Sequence, residues 1–94
     1  MTFNRRKYQL QTAVGSVELT KNEAVILQNL IDHMGAVVHR EVLHAQIDTY
    51  GFCNSNRTVD VHVSALRKKL NRIDSNLEIL TKRGVGYILR IELT

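Results

Sequence analysis

Three segments of the chain carry hydrophobic residues at helical spacing. The first begins after Thr20, where Thr20-Lys21-Asn22-Glu23 fits a capping box in which Thr20 and Glu23 satisfy each other's backbone N–H groups. The segment ends near Gly35, a residue type suited to the left-handed C′ position that follows a helix. Its predicted buried stripe consists of Ala24, Leu27, Leu30, Ile31 and Met34.

Two further helices are predicted in the middle of the chain. The second is expected from about His39 to Tyr50, with Val42, Leu43 and Ile47 facing inward, although histidine is a poor N-cap. The third covers residues 57–72, and Asn54, Ser55 or Asn56 in the polar segment before it can supply its N-cap. Three helices with a short, glycine-containing link before the third predict a helix-turn-helix core.

The third helix has two different faces. Its inner face is apolar and consists of Val59, Val63, Leu66, Leu70 and Ile73. At about 100° per residue the opposite face is small and basic. That outer face consists of Arg57, Val61, Ser64, Ala65, Lys68 and Arg72. Such a helix can lie in a DNA major groove. An ordinary amphipathic helix with a solvated basic face has the same pattern, so this helix alone does not decide between the two.

Alternating positions at both ends of the chain predict strands. Near the start, alternation from Tyr8 to Val14 is followed by Gly15-Ser16, a dipeptide suited to a two-residue type II′ hairpin turn. Residues 36–38 are predicted to be no more than a strand fragment between two helices. Residues 78–82 and 87–91 predict a second hairpin, with Lys82 and Arg83 at its tip. A basic tip beside a basic helix can reach phosphates or a minor groove, although loop tips are often basic for solubility alone.

Composition narrows the classes of function. The 94 residues carry a formal net charge of +4, which favours polyanionic partners. No apolar run approaches the roughly 20 residues of a membrane span, and no secretory signal is recognisable. The single cysteine, Cys53, excludes an intrachain disulfide and predicts a cytoplasmic protein. No metal-ligand spacing, phosphate-binding glycine loop or nucleophile motif is present, so we expect no metal, no cofactor and no enzymatic activity.

Four segments together resemble the DNA-binding effector domain of OmpR/PhoB-type response regulators. They are LTKNE at 19–23, VVHREVL at 37–43, RTVDVHVSALRKKL at 57–70 and ILTKRGVGYIL at 79–89. The resemblance implies an α+β winged helix-turn-helix with an N-terminal antiparallel sheet, three helices and a C-terminal β-hairpin wing. It implies one domain over residues 1–94, of which 1–7 are a linker or the end of a first strand. The implied function is transcription regulation through sequence-specific binding of double-stranded DNA, with helix 57–72 in the major groove and the wing around 82–86 in the minor groove.

The resemblance also implies roles for single residues. Val61 matches an apolar residue that contacts thymine methyl groups, and His62 and Arg67 match phosphate-contacting positions. Arg83 matches a wing arginine that enters the minor groove, whereas Ala65 stands where some members carry a base-reading arginine. The implied DNA-contacting residues are Tyr50, Arg57, Thr58, Val61, His62, Ser64, Ala65, Arg67, Lys68, Arg72, Thr81, Lys82 and Arg83.

Partners follow from the same resemblance. In full-length relatives a phosphorylatable receiver domain precedes this domain and supplies dimerisation, and two effector domains bind direct repeats head to tail. We therefore expect the isolated domain to be a monomer. In some members the loop that matches residues 51–56 contacts RNA polymerase, which is therefore a further implied partner. The loop is shorter here than in those members, a departure from the family pattern. The alternative is a winged helix that docks onto proteins without binding DNA, because fold alone does not fix function.

Overall fold

The computed structural model describes residues 2–50 and 59–91 and contains three helices and six strands in that part of the chain. Two antiparallel sheets are formed, with strand orders β1-β2-β3 and β4-β6-β5. This is the predicted α+β winged helix-turn-helix, and the β5–β6 hairpin is the wing. The elements are β1 (Thr2–Asn4), β2 (Gln9–Gln11), β3 (Ser16–Glu18), α1 (Lys21–Asp32), β4 (Val37–His39), α2 (Arg40–Tyr50), α3 (Val59–Arg72), β5 (Leu77–Lys82) and β6 (Gly86–Ile91).

A single cluster of buried apolar residues joins the helices to both sheets. The inner face of α3 is buried as predicted, from Val59 through Leu70 to Ile73 just beyond the helix. Burying a side chain of this size contributes about 1.5–3 kcal/mol, so this stripe fixes which side of α3 faces outward. The prediction for α2 was wrong at Val42, which is 43% exposed, because the helix turns only Leu43 and Ile47 toward the core.

The ends of α1 are set by local hydrogen bonds. The predicted capping box is present: Glu23 N donates to Thr20 Oγ1 at 3.2 Å, and Thr20 N donates to Glu23 Oε1 at 2.9 Å. The helix ends at Asp32 with His33 as its C-cap, so the prediction of Gly35 at C′ was wrong. Gly35 does adopt a left-handed φ of +84°, but it serves the turn into β4, where its N–H donates to Leu89 O at 2.9 Å.

The turn of the N-terminal hairpin lies earlier in the chain than the Gly15-Ser16 dipeptide predicted. Gln11 pairs with Ser16, so residues 12–15 form the turn, and the prediction of a two-residue Gly15-Ser16 turn was wrong. Thr12 holds this turn, because its N–H donates to Gly15 O at 2.8 Å and its hydroxyl donates to Ile73 O at 2.6 Å. Val14 consequently points away from the core and is 66% exposed.

Residues 37–39 are more than a connecting fragment. Val37, Val38 and His39 pair with Ile88, Tyr87 and Gly86, so β4 is the edge strand of the wing sheet. The strand is recognisable only from its partner, because three residues are too few for a periodic pattern. Helix α2 starts at Arg40 directly after this strand, one residue later than predicted.

A buried ion pair ties α3 to the start of α1. Lys69 Nζ lies 2.6 Å from Glu23 Oε1, and the Glu23 side chain is 3% exposed. The same carboxylate completes the α1 capping box, so its charge is satisfied by a backbone N–H and by an ammonium group. No helix in the part of the chain that the structure describes is long and apolar enough to cross a bilayer.

Replacing Lys69 should show the contribution of this pair. We expect Lys69→Met to lower the free energy of unfolding by about 2–4 kcal/mol, because a buried carboxylate loses its charged partner. The matched control is Lys68→Met, a change one residue away at an exposed position, which should alter it by less than about 0.5 kcal/mol. Urea unfolding of both variants measures the difference, and equal stabilities would contradict the role of the pair.

The close approach of β4 to β6 makes Gly86 sensitive to substitution. A Cβ atom at Gly86 would lie 2.0 Å from the carbonyl oxygen of Val38 and 2.9 Å from His39 Cα, both backbone atoms that cannot rotate away. We expect Gly86→Ala to lower the unfolding free energy by about 2 kcal/mol or more through overpacking and loss of the β4 pairing. Gly15→Ala is the control, since nothing lies within 4 Å of a Cβ there. Thermal unfolding should separate the two variants, and a Gly86→Ala domain as stable as the control would refute the packing account.

Candidate nucleic-acid interface

The outer face of α3 is open to solvent. Val61 is 46% exposed, and Ser64, Lys68 and Arg72 are also exposed on the side opposite the buried stripe. Ala65 is half-buried at the margin of this face. Val61, Ser64, Ala65 and Lys68 line one shallow depression together with Asp60. The face therefore offers methyl groups, a hydroxyl and cations that are not covered by residues 2–50 and 59–91.

The tip of the wing carries two more cations. Lys82 and Arg83 are exposed where β5 ends, and Val85 N donates to Lys82 O at 2.9 Å to close the turn. Gly84 adopts a left-handed φ of +74° within this turn, a conformation that glycine adopts without steric penalty. Thr81 precedes the tip and is exposed on β5. The turn thus holds both basic side chains at the end of the hairpin.

Arg67 lies on the side of α3 that faces the wing. Its Nε and Nη2 donate to Ile79 O at 3.0 and 2.8 Å, and Nη2 also donates to Thr81 Oγ1 at 2.7 Å. Both acceptors belong to β5. The guanidinium predicted to contact a phosphate therefore bonds within the protein, and its contact with DNA stays a prediction.

Tyr87, Asp60 and Arg40 form a second polar cluster on the same side. The Tyr87 hydroxyl donates to Asp60 Oδ1, and Arg40 Nε and Nη2 each lie 3.2 Å from that oxygen. The guanidinium carbons of Arg40 and Arg67 lie 5.9 and 5.7 Å from the centroid of the Tyr87 ring, within cation–π range. Burial and the Asp60 hydrogen bond raise the pKa of Tyr87, and the Tyr87 hydroxyl and the Asp60 charge raise the pKa of Arg40.

The opposite edge of α3 faces α1. His62 is half-buried, with Nε2 at 3.4 Å from Asn22 Nδ2. Together with the Glu23–Lys69 pair, this contact holds α3 along the edge away from the wing. A phosphate contact of His62 stays a prediction. The half-buried ring lies between the buried stripe and the outer face.

Four of the predicted residues lie together on one face of α3. Val61, Ser64, Lys68 and Arg72 share the outer face of α3, and Tyr50 is exposed at the end of α2. Arg57 and Thr58 lie outside the described residues, as do the predicted N-cap of the third helix and the loop at 51–56.

Sequence reasoning missed the cluster of Arg40, Asp60 and Tyr87. The available signal was Asp60, an acidic residue in the first turn of an otherwise basic helix. Nothing in the periodicity of β6 distinguishes Tyr87 from an ordinary core aromatic. Among residues 2–50 and 59–91, the histidine and acidic side chains form no group of three or more able to hold a metal ion.

Comparison with known proteins identifies the family. A family model described as "Transcriptional regulatory protein, C terminal" matches residues 14–89. The heme response regulator HssR of Staphylococcus saprophyticus is 34% identical over 87 residues, which cover 93% of this chain and 39% of that protein. The chain spans between 34% and 39% of the length of the curated relatives it matches.

Solved structures agree with this match. The C-terminal domain of the nisin resistance regulator NsrR superposes with a TM-score of 0.78 at 34% identity, covering 94% of this chain and 90% of that one. The AdeR DNA-binding domain, solved in complex with an intercistronic region, superposes with a TM-score of 0.74 at 29% identity, covering 96% and 93%. The chain accordingly belongs to the family of C-terminal domains of transcriptional regulatory proteins, the OmpR/PhoB-type winged-helix effector domains.

Proposed function

We propose that this domain binds double-stranded DNA sequence-specifically, with α3 in the major groove and the tip of the wing in the adjacent minor groove. The observation that carries the proposal is the exposure of Val61 and Lys68 on the face of α3 opposite the buried stripe. A major groove about 12 Å wide admits an α-helix whose outer side chains reach the base edges. The AdeR domain, which shares this fold, was solved bound to an intercistronic region.

The charges on this surface suit a phosphate backbone. Lys68 and Arg72 are exposed on α3, and Lys82 and Arg83 are exposed on the wing. The carboxylate that borders the face, Asp60, is paired with Arg40. Cations placed on both elements can neutralise phosphates on either side of a groove while the centre of α3 meets the bases.

We assign base contact to the centre of the outer face. Val61 and Ala65 offer methyl groups that suit the C5-methyl of thymine, and Ser64 can hydrogen-bond to several base edges. Because position 65 is alanine, where some family members carry an arginine, one source of guanine contact is absent. This composition favours a half-site in which A·T pairs face the middle of the helix.

We propose the function and partners of the whole protein from those of its relatives. We infer a transcription regulator of a two-component system in the cytoplasm, in which a receiver domain controls this effector domain. Two copies bind direct repeats head to tail, the isolated domain is monomeric, and RNA polymerase is a further partner.

The rival function is docking onto another protein through the same surface. Phosphate binding releases counterions, so DNA affinity must fall steeply with salt, whereas a docking module shows no DNA binding at any salt. A salt titration with a mixed-sequence duplex separates the two functions without knowledge of the operator.

The adjacent residues Lys68 and Lys69 provide the sharpest test of which side of α3 binds DNA. We expect Lys68→Met to weaken DNA binding and to reduce the slope of log affinity against log salt by about one unit, the loss of one phosphate contact. Lys69→Met is the control: it removes the same charge at a position paired with Glu23, and the folded variant should keep the parental slope. Equal slopes for the Lys68→Met variant and the parent would remove Lys68 from the interface.

The base preference should depend on Val61. We expect Val61→Arg to shift the motif selected from a random duplex library toward guanine, since arginine bonds guanine in a bidentate manner worth about 1–3 kcal/mol. Val42→Arg adds the same charge at an exposed valine of α2 and should return the parental motif. Replacing thymine by uracil in the parental motif should weaken binding of the parent, because the methyl group is lost. An unchanged motif for Val61→Arg would show that Val61 does not face the bases.

A further inference from the structure

The buried core ends before the tip of the wing. Along β5, Ile79 is buried and Leu80 is half-buried, whereas Thr81 and Lys82 are exposed. Along β6, the last buried residues toward the tip are Tyr87 and Gly86. Apolar packing holds the base of the hairpin, and the β4–β6 pairing reaches Gly86, the last strand residue before the turn. Beyond Gly86 the exposed tip is connected to the helices by polar contacts.

Arg67 supplies the first of these contacts. Its guanidinium is half-buried and makes three hydrogen bonds to β5, two to the carbonyl of Ile79 and one to the hydroxyl of Thr81. A planar guanidinium with several fixed donors constrains both distance and angle, which an ammonium group cannot do. The bond to Thr81 reaches the strand one residue before the basic tip.

Tyr87 supplies the second contact and joins three elements. Its ring is 3% exposed, and its hydroxyl donates to Asp60 in the first turn of α3. Arg40, the first residue of α2, pairs with the same carboxylate oxygen. The backbone N–H of Arg40 also donates to Val85 O in the wing turn at 3.0 Å. The wing, α2 and α3 are thus connected through one phenol and one carboxylate.

We propose that Arg67 and Tyr87, with Asp60, Arg40 and Thr81, form a brace that fixes the wing tip relative to α3. The brace sets the separation between the major-groove and minor-groove contacts, so Arg67 and Tyr87 are positioning residues. This inference rests on the proposed function. It gives Arg67 a role inside the protein in addition to the phosphate contact that the family resemblance implies.

The test on DNA is a double-mutant cycle between the brace and the wing tip. Arg83→Ala should weaken binding about tenfold in the parent, the scale of one good minor-groove or phosphate contact. In a Tyr87→Phe or Arg67→Lys background the same change should weaken binding by less than about threefold, because the tip no longer sits at one position. The full loss in both backgrounds would overturn the coupling.

Arg90→Lys is the matched control. Arg90 donates to Glu78 Oε2 across β5 and β6 at 2.9 Å, so this change weakens an arginine contact in the same hairpin, at a pair distant in register from the wing tip. In the Arg90→Lys background, Arg83→Ala should retain its full effect. A reduced effect there would show that any loss in the hairpin weakens the tip, which would also overturn the brace.

A measurement of the distance between α3 and the wing in the free domain tests the brace independently of DNA. Spin labels attached through Ser64→Cys and Lys82→Cys, in a Cys53→Ser background, report the separation between α3 and the wing. We expect one narrow distance distribution in the parent and in Arg90→Lys, and a broader one in Tyr87→Phe and Arg67→Lys. Unbroadened distributions in both brace variants would overturn the proposal. If the parent fails to bind any duplex, the proposed function fails, and the distances still decide whether the brace exists.

Discussion

The central constraint on this domain is that α3 must be fixed to the rest of the protein by residues outside the face that it presents to solvent. The apolar stripe from Val59 to Leu70 holds the helix against the core, and it leaves both edges of the helix free for polar contacts. On the α1 edge, Lys69 bonds the buried carboxylate of Glu23. On the wing edge, Asp60 and Arg67 bond Tyr87 and β5. Directional bonds on both sides add to the apolar stripe in restricting rotation of the helix about its axis.

This arrangement divides the basic residues of α3 into two groups with different tasks. Lys69 and Arg67 bond to groups inside the protein, so their charges stabilise the fold. Lys68 and Arg72 point outward and remain available to a polyanion. Neighbouring residues of identical charge therefore differ in exposure and in bonding partners because a helix turns by about 100° per residue. Net charge alone does not show which of the cations face a partner.

The sequence could predict what depends on long, regular patterns. The stripe of α3, the capping box at Thr20 and the hairpin around Gly84 were confirmed because each follows from periodicity or from a local hydrogen-bonding rule. The N-terminal turn was mispredicted, and it is held both by the local bond from the Thr12 N–H to Gly15 O and by the bond from the Thr12 hydroxyl to Ile73, 61 residues away. Strand β4 depends on its pairing with β6, and the cluster around Tyr87 joins three elements. Contacts of this kind between distant residues leave no periodic signal in one sequence.

Under the proposed function, the free domain already presents α3 and the wing as one DNA-binding surface. The most direct measurement is the change in backbone amide chemical shifts when a duplex is added. We expect the largest changes at Val61 to Lys68 on α3 and at Lys82 to Gly84 on the wing, with residues 12–15 of the N-terminal hairpin unaffected. Large changes at residues 12–15, with the α3 amides unmoved, would contradict the account.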